Sequence, residues 1–242
     1  MTAPGRTRIK FCGFTRHEDV AEAVALGVDA LGFVMWPRSA RGIDPATLAA
    51  LAAPVPAFVT RVGLFVNPDV ALVEACLPHL DLIQFHGDEP ADFCAQFDRP
   101  WIKALRMRDD LDLHQAAQQY AAAQALLLDA YRPGVPGGTG ETFDWSRIPA
   151  ALQKPVILAG GLTVENIAAA VAQVTPYAVD VSGGIEAAPG QKDARRMADF
   201  VAQVGRADQR DLATLQGRCG RIAGTACGRR GNPARIGPAR DR

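Results

Sequence analysis

Two residues of this 242-residue chain stand where an acid and a base would be useful. Cys12 closes the apolar run Ile9-Lys10-Phe11-Cys12, and Asp129 closes Leu126-Leu127-Leu128-Asp129. A thiol titrating near ~8.5 needs only a modest push to become a thiolate that removes a proton. An aspartate behind three leucines lies in apolar surroundings that favour its protonated form, as a general acid requires. Set on opposite faces of one substrate, such a pair moves protons as a sugar isomerase must. Each residue also has a plainer explanation. A buried cysteine is most often an inert small hydrophobe, and a strand-end aspartate often only caps the next turn.

Other residues suit anions. Gly160-Gly161 and Gly183-Gly184 follow two consecutive apolar runs, and Gly137-Gly138-Thr139-Gly140 lies in a Gly/Pro-rich stretch. Bare backbone N–H groups at such places, with a helix N-terminus behind them, make a phosphate cradle, although single glycine pairs are also ordinary turns. No G-x-x-x-x-G-K-[ST] loop exists, which excludes a P-loop nucleotide site. Arg41, with Arg38 beside it, offers a guanidinium fork for a substrate carboxylate, or is simply a solvated loop residue. His86 could carry a proton, but more often such a residue is a hydrogen-bonded strand-end histidine. Asp180 could touch substrate or support a neighbouring loop, and Ser182 follows it at the same strand end.

For these residues to meet, the chain must bring the ends of several strands together. Short apolar runs recur at Ile9–Cys12, Ala30–Val34, Val59–Val66, Leu82–His86, Trp101–Leu105, Ala125–Asp129, Val156–Ala159 and Ala178–Val181. Most are continuous rather than alternating, as expected of strands covered on both faces. Between them lie Ala/Leu-rich helical stretches at Glu18–Leu26, Pro45–Ala52, Val70–Leu77, Ala91–Phe97, Leu111–Ala122, Val164–Val174 and Asp193–Val204. Thr15 with Glu18, Asp44 before Pro45, and Thr163 before Glu165 and Asn166 read as helix starts. The linker Tyr131–Pro149 leaves room for only a short helix around Trp145. Eight strand–helix repeats over about 200 residues predict a closed (β/α)8 barrel, α/β in class, whose active site lies at the C-terminal ends of the strands. An open doubly wound sheet is the alternative, but Cys12-Gly13-Phe14-Thr15 lacks the G-x-G-x-x-G turn that would favour it.

Composition narrows the function classes. The chain is 48% hydrophobic and 21% charged, with 26 basic and 26 acidic residues. Zero net charge argues against a general polyanion binder, so no nucleic-acid partner is expected. Cys12, Cys76, Cys94, Cys219 and Cys227 form an odd, scattered set without C-x-x-C, and a reducing compartment suits them better than disulfides. His17, His79, His86 and His114 lack metal-ligand spacing, and no run approaches the ~18 apolar residues of a membrane span. Met1–Arg8 lacks the apolar core of a signal peptide, which points to the cytoplasm. The charge is split, however. Residues 205–242 hold nine Arg, three Asp and no Lys or Glu, a net +6, leaving −6 for residues 1–204. With seven glycines and almost no Val, Ile, Leu or Phe, this Arg/Gly-rich tail is expected to be disordered beyond a barrel domain ending at residue 204. An RNA-binding arm ranks below that because no aromatic residue is interleaved.

The motifs converge on one family. Lys10-Phe11-Cys12-Gly13-Phe14-Thr15, Pro37-Arg38-Ser39-x-Arg41, Gln84-Phe85-His86-Gly87-Asp88-Glu89, Leu128-Asp129 with Gly137-Gly138-Thr139-Gly140 and Phe143-Asp144-Trp145, Leu158-Ala159-Gly160-Gly161-Leu162, and Val179-Asp180-Val181-Ser182 resemble phosphoribosylanthranilate isomerase of tryptophan biosynthesis. The matches run in order from residue 8 to about 204. The resemblance implies an Amadori rearrangement, an aldose–ketose isomerisation of N-(5-phosphoribosyl)anthranilate, without metal or organic cofactor. It puts the general acid at Asp129, the general base at Cys12, the anthranilate-carboxylate anchor at Arg41, and phosphate contacts near Gly138, Gly161 and Gly183. His86, Asp180 and Ser182 complete the expected substrate contacts. The expected partner is this small phosphorylated substrate, with no membrane, in a monomer or homodimer. Departures are Ser182-Gly183-Gly184 where Ser-Ser-Gly or Asn-Ser-Gly is frequent, Phe11 and Phe14 around the cysteine, and the tail. A metal-dependent epimerase would need several ligands at strand ends, where only His86 qualifies. The histidine-pathway Amadori isomerase would present two aspartates, where the first strand here has Cys12.

Overall fold

A computed structural model describes residues 6–130 and 142–223, the segment 210–223 through its backbone alone. Eight parallel strands close on themselves in chain order: β1 (Arg8–Cys12), β2 (Ala30–Val34), β3 (Thr60–Phe65), β4 (Leu82–Phe85), β5 (Trp101–Arg106), β6 (Leu126–Asp129), β7 (Val156–Leu158) and β8 (Ala178–Val181). Closure is made by β1, which pairs with both β2 and β8 and sets Lys10 opposite Ala30 and Asp180. The open-sheet alternative is thereby excluded.

Alternation along each strand explains why the runs read as continuously apolar. Ile9 and Phe11, Leu31 and Phe33, Ile83 and Phe85, Leu126 and Leu128, and Val179 and Val181 face outward into one large core beneath the helices. The intervening residues face the barrel axis. Ile102, Ala104, Leu127, Ile157, Ala159 and Ala178 fill its lower interior, and Cys12, Val34 and Leu64 form a small cluster above. Both sets are buried, so the sequence shows no polar stripe. The same parity that sends Phe11 outward sends Lys10 and Cys12 inward, and the parity of Leu128 does the same for Asp129.

Seven α-helices lie among the described residues: α1 (His17–Ala25), α2 (Pro45–Ala52), α3 (Val70–Cys76), α4 (Ala91–Ala95), α5 (Leu113–Gln119), α6 (Ile167–Val174) and α7 (Ala194–Ala223). A single 3₁₀ turn, Trp145–Arg147, stands in the sixth position, as the Pro/Gly-rich linker predicts. Asp44 caps α2 by accepting from the Thr47 N–H at 2.7 Å, with Pro45 as first helical residue. Thr15 does not cap α1. The N-cap is Arg16, without a side-chain capping bond, and the Thr15 hydroxyl instead donates to the Gly190 carbonyl at 2.5 Å. A tertiary acceptor has displaced the local one. No helix of the described residues is long and apolar enough to cross a membrane.

Two features depart from the eightfold pattern. A short antiparallel hairpin, β9 (Glu186–Ala188) and β10 (Gln191–Lys192), intervenes between β8 and α7. The expected domain boundary at residue 204 also falls inside α7, which continues to Ala223. Ala207 is buried, and Asp208 accepts from the Thr7 N–H at 2.8 Å and the Thr7 hydroxyl at 2.7 Å, tying this helix to the entrance of β1. A count of large apolar residues misses this anchoring because one alanine and one carboxylate provide it. The tail beyond Ala223 and the loop containing Gly138 lie outside the described residues.

Candidate active site

The C-terminal ends of the strands surround a cavity of about 530 Å³, within the ~300–1,000 Å³ usual for small-molecule sites. Cys12, Arg41, His86, Asp129, Gly161, Asp180, Ser182 and Gly183 all line it, together with Trp36, Arg106 and Arg196. Residues separated by up to 184 positions thus share one concavity; all but Arg196, which lies in α7, end a strand on its inner face or belong to the loop that follows.

Asp129 ends β6 and lies with its Oδ2 3.1 Å from His86 Nε2. On the far side of the ring, Gln84 Nε2 lies 3.2 Å from His86 Nδ1. With the Gln84 amide donating to Nδ1, the ring proton sits on Nε2 and donates to Asp129. Gln84 is wholly buried, and its Oε1 has no hydrogen-bond partner among the described residues. His86 therefore combines the two readings open to it, since it is hydrogen-bonded at a strand end and also lines the cavity beside the candidate acid.

Cys12 ends β1. Burial pushes its thiol up, Lys10 pulls it down and Asp180 pushes it up again, leaving it above the ordinary cysteine value. Lys10, two residues earlier on the same inner face, donates to Asp180 Oδ1 at 2.8 Å. Burial works against the Lys10 charge, but Asp180 and Cys12 outweigh it and raise its pKa. Asp180 is accordingly a support for Lys10 as well as part of the cavity wall. The Ser182 hydroxyl also turns to support, donating to the Cys12 carbonyl at 2.9 Å.

Across the loops after β7 and β8 the glycines make a close backbone junction. Gly160 and Gly161 take left-handed φ values of 81° and 63°. A Cβ on Gly184 would fall 2.0 Å from the Leu162 carbonyl oxygen, so the two loops can meet only if that position is glycine. Gly161, Thr163, Gly183 and Gly184 line the same end of the cavity, at the place where barrels of this architecture commonly hold phosphate.

Arg41 lines the cavity from the loop after β2 and is engaged by Glu186 of the hairpin, Nε to Oε1 at 2.8 Å and Nη2 to Oε2 at 2.6 Å. Lys192, from the second hairpin strand, places its Nζ 2.5 Å from the Cys12 carbonyl oxygen and 2.8 Å from Glu186 Oε1. Sequence reasoning assigned no role to Lys10, Gln84, Glu186, Lys192 or Arg106. Lys10 had a signal, being a cation of the same parity as Cys12 within an apolar run. Glu186 and Lys192 had none, because their segment belongs to no strand–helix repeat. Among the described residues, no group of three or more His, Cys, Asp and Glu is placed to hold a metal ion.

Comparison with known proteins identifies the family. Residues 9–203 match the family model of N-(5'-phosphoribosyl)anthranilate isomerase. A protein of that name from Chromohalobacter salexigens is 65% identical over 205 residues, covering 84% of this chain and 97% of the relative. One from Pseudomonas putida is 53% identical over 199 residues, covering 81% and 97%. The crystal structure of phosphoribosyl anthranilate isomerase from Thermotoga maritima superposes with a TM-score of 0.75 at 37% identity, covering 82% of this chain and 98% of that one. A further structure of such an isomerase, in complex with reduced 1-(o-carboxyphenylamino)-1-deoxyribulose 5-phosphate, gives 0.71 at 34% identity over the same shares. A barrel with a thiol and a carboxyl group converging on its C-terminal mouth, matched along nearly the whole length of these relatives, belongs to the N-(5'-phosphoribosyl)anthranilate isomerase family.

Proposed function

We propose that the chain converts N-(5-phosphoribosyl)anthranilate into 1-(2-carboxyphenylamino)-1-deoxyribulose 5-phosphate, its family's step in tryptophan biosynthesis, with Asp129 as general acid and Cys12 as general base. One observation carries this reading: Cys12 and Asp129, at the inner ends of β1 and β6, line the same cavity as the glycine junction after β7 and β8. A phosphate held at that junction leaves the sugar between thiol and carboxyl. Asp129 gives a proton to the ribose ring oxygen as the C1′–O bond breaks and the anilino nitrogen forms an iminium with C1′. Cys12 then takes the C2′ proton, the C–H electron pair neutralising the iminium as an enolamine, which tautomerises to the ketone.

Burial favours the Cys12 thiol over the thiolate, because it holds the pKa up. The positive iminium formed by ring opening lies next to C2′ and favours the thiolate at the moment a base is needed. His86, bonded to Asp129, orients the carboxyl group, and Arg41 receives the anthranilate carboxylate. Gly138, Gly161 and Gly183 would offer backbone N–H groups to the phosphate. Nothing in these steps calls for a metal or organic cofactor. Every group invoked comes from one chain, so a monomer or a homodimer could work alike. Among the described residues Cys12, Cys76 and Cys94 are buried free thiols, which suits a cytoplasmic setting.

The test is a fluorescence assay of anthranilate-conjugate consumption by the purified protein. Asp129→Asn should lose most turnover with little loss of affinity for a product analogue, since the missing proton matters only in the transition state. Cys12→Ser should be slow because a hydroxyl is a far weaker base. Normal turnover in either variant removes that residue from the chemistry.

A further inference from the structure

The hairpin after β8 carries a charge arrangement that neither proton transfer nor phosphate binding uses. Glu186 is 6% exposed, yet its carboxylate accepts four hydrogen bonds. They come from Arg41 Nε at 2.8 Å and Nη2 at 2.6 Å, from Lys192 Nζ at 2.8 Å and from the Gly190 N–H at 3.3 Å. Burial alone would raise the Glu186 carboxyl, but Arg41 and Lys192 outweigh it and hold it below the ordinary glutamate value. Lys192 is fixed in turn by the carbonyls of Cys12 at 2.5 Å and Ser182 at 3.3 Å. The carboxylate is thus fastened to the end of β1 and to the loop after β8, and Arg41 is fastened to the carboxylate.

A guanidinium presents four of its five N–H groups along two edges, each able to grip a carboxylate with two parallel bonds. Glu186 occupies the edge formed by Nε and Nη2. Arg41 Nη1 has no hydrogen-bond partner among the described residues, and the side chain lines the cavity. The edge formed by Nη1 and Nη2 is therefore free for a second carboxylate. The charge count agrees. Arg41 and Lys192 supply two positive charges and Glu186 one negative, so one positive charge is left for an anionic ligand group.

We propose that Glu186 is a positioning residue that confers specificity for a carboxylate on the aromatic ring of the substrate, by holding Arg41 side-on so that its end-on edge is presented to the cavity. This rests on Arg41 being the carboxylate anchor. An unrestrained arginine would have to lose its rotamer freedom when the ligand binds, and would offer either edge or neither. Pinned by Glu186, it has lost that freedom beforehand, and only the free edge can be used.

Two probes separate the possibilities: the reduced product analogue carrying the ring carboxylate, and the same compound made from aniline, which lacks it. Their affinities are measured by calorimetry on the wild type, Arg41→Ala, Glu186→Gln and Glu186→Asp. Glu186→Gln should weaken the carboxylated probe about tenfold, the scale of one lost charge-assisted hydrogen bond, and leave the other probe unchanged. Glu186→Asp, with a shorter reach but the same charge, should recover part of the loss. With substrate, KM should rise while kcat changes little. Equal weakening of both probes by Glu186→Gln, or weakening of neither, overturns the proposal. Should Glu186→Gln fail to fold, Glu186→Asp is read by the same criterion, a loss confined to the carboxylated probe. If Arg41→Ala itself fails to discriminate between the probes, the assignment of Arg41 is what fails.

Discussion

Replacing Lys10 by methionine separates the two tasks that the buried cation performs. Lys10 and Asp180 form an ion pair at 2.8 Å with side-chain exposures of 5% and 10%. Methionine retains most of the volume and removes the charge, leaving Asp180 without its partner. Breaking a buried pair in this way typically costs about 3–5 kcal/mol, much of it the desolvation of the orphaned charge. Asp180 also borders the cavity, where water can reach it, so the lower end, about 3 kcal/mol, is expected. The second replacement, Asp180→Asn, removes the orphaned charge, and the double variant should return to within about 1 kcal/mol of wild type in urea titrations. Catalysis should not return with it. Lys10 draws the Cys12 thiol down against its burial, so loss of the cation moves the thiol further up, most in the single variant and less in the double, where the raising influence of Asp180 is gone as well. The ascending limb of kcat/KM against pH, set by thiol deprotonation, should move to higher pH. At neutral pH the rate should fall about tenfold for each unit moved, since the thiolate is the proposed base. Asp180→Asn alone is the control for any contact of Asp180 with substrate. If the double variant and Asp180→Asn share the same pH limb, Lys10 does not tune the thiol and its role is confined to closing the barrel.

Two further outcomes follow from the geometry. Gly184→Ala puts a methyl group 2.0 Å from the Leu162 carbonyl oxygen, which no side-chain rotation can relieve. The loops must separate, at about 1–3 kcal/mol of stability, and affinity for inorganic phosphate should fall with it; an unchanged phosphate affinity by calorimetry would place the anion elsewhere. Burial pushes the Cys76 thiol up to about 11 and the Cys94 thiol to about 12. Neither should be alkylated by iodoacetamide in the folded protein near pH 8, as read by mass spectrometry of the peptides, and rapid labelling of either would contradict the packing described.

Strand and helix identity was legible because it is local. The eight apolar runs became eight strands, with no end moved by more than one residue: β3 spans Thr60–Phe65 where Val59–Val66 was expected. Closure and the site followed from the count of repeats and from which residues end each run. What escaped the sequence depends on closure itself. Lys10 and Asp180 are 170 positions apart and become partners only when β1 lies beside β8. Arg41 and Glu186 meet across 145 positions, through a hairpin whose five strand residues carry too little apolar alternation to announce it. The continuation of α7 past residue 204 was not legible for a similar reason. Composition measures how much apolar surface a segment can bury, whereas Asp208 is held by two hydrogen bonds to Thr7 at the other end of the chain.

The pairs that were not legible also explain why a barrel interior tolerates so many charges. Lys10, Asp180, Lys192 and Glu186 are all nearly inaccessible. Buried ion pairs seldom add stability over well-packed apolar residues, so these are poorly accounted for as stabilising devices. Their placement is better accounted for by what they touch. Lys10 acts on the Cys12 thiol, Lys192 bonds the Cys12 carbonyl, and Glu186 holds the guanidinium of Arg41. Each pair brings a group expected to meet substrate under the control of a charge that substrate need not touch. An apolar replacement of either pair would leave the fold its strands and helices, but would return the thiol to a wholly desolvated setting and leave the arginine free to turn. The stability given up in burying these charges is the cost of holding the Cys12 thiol and the Arg41 guanidinium in fixed relation around one cavity.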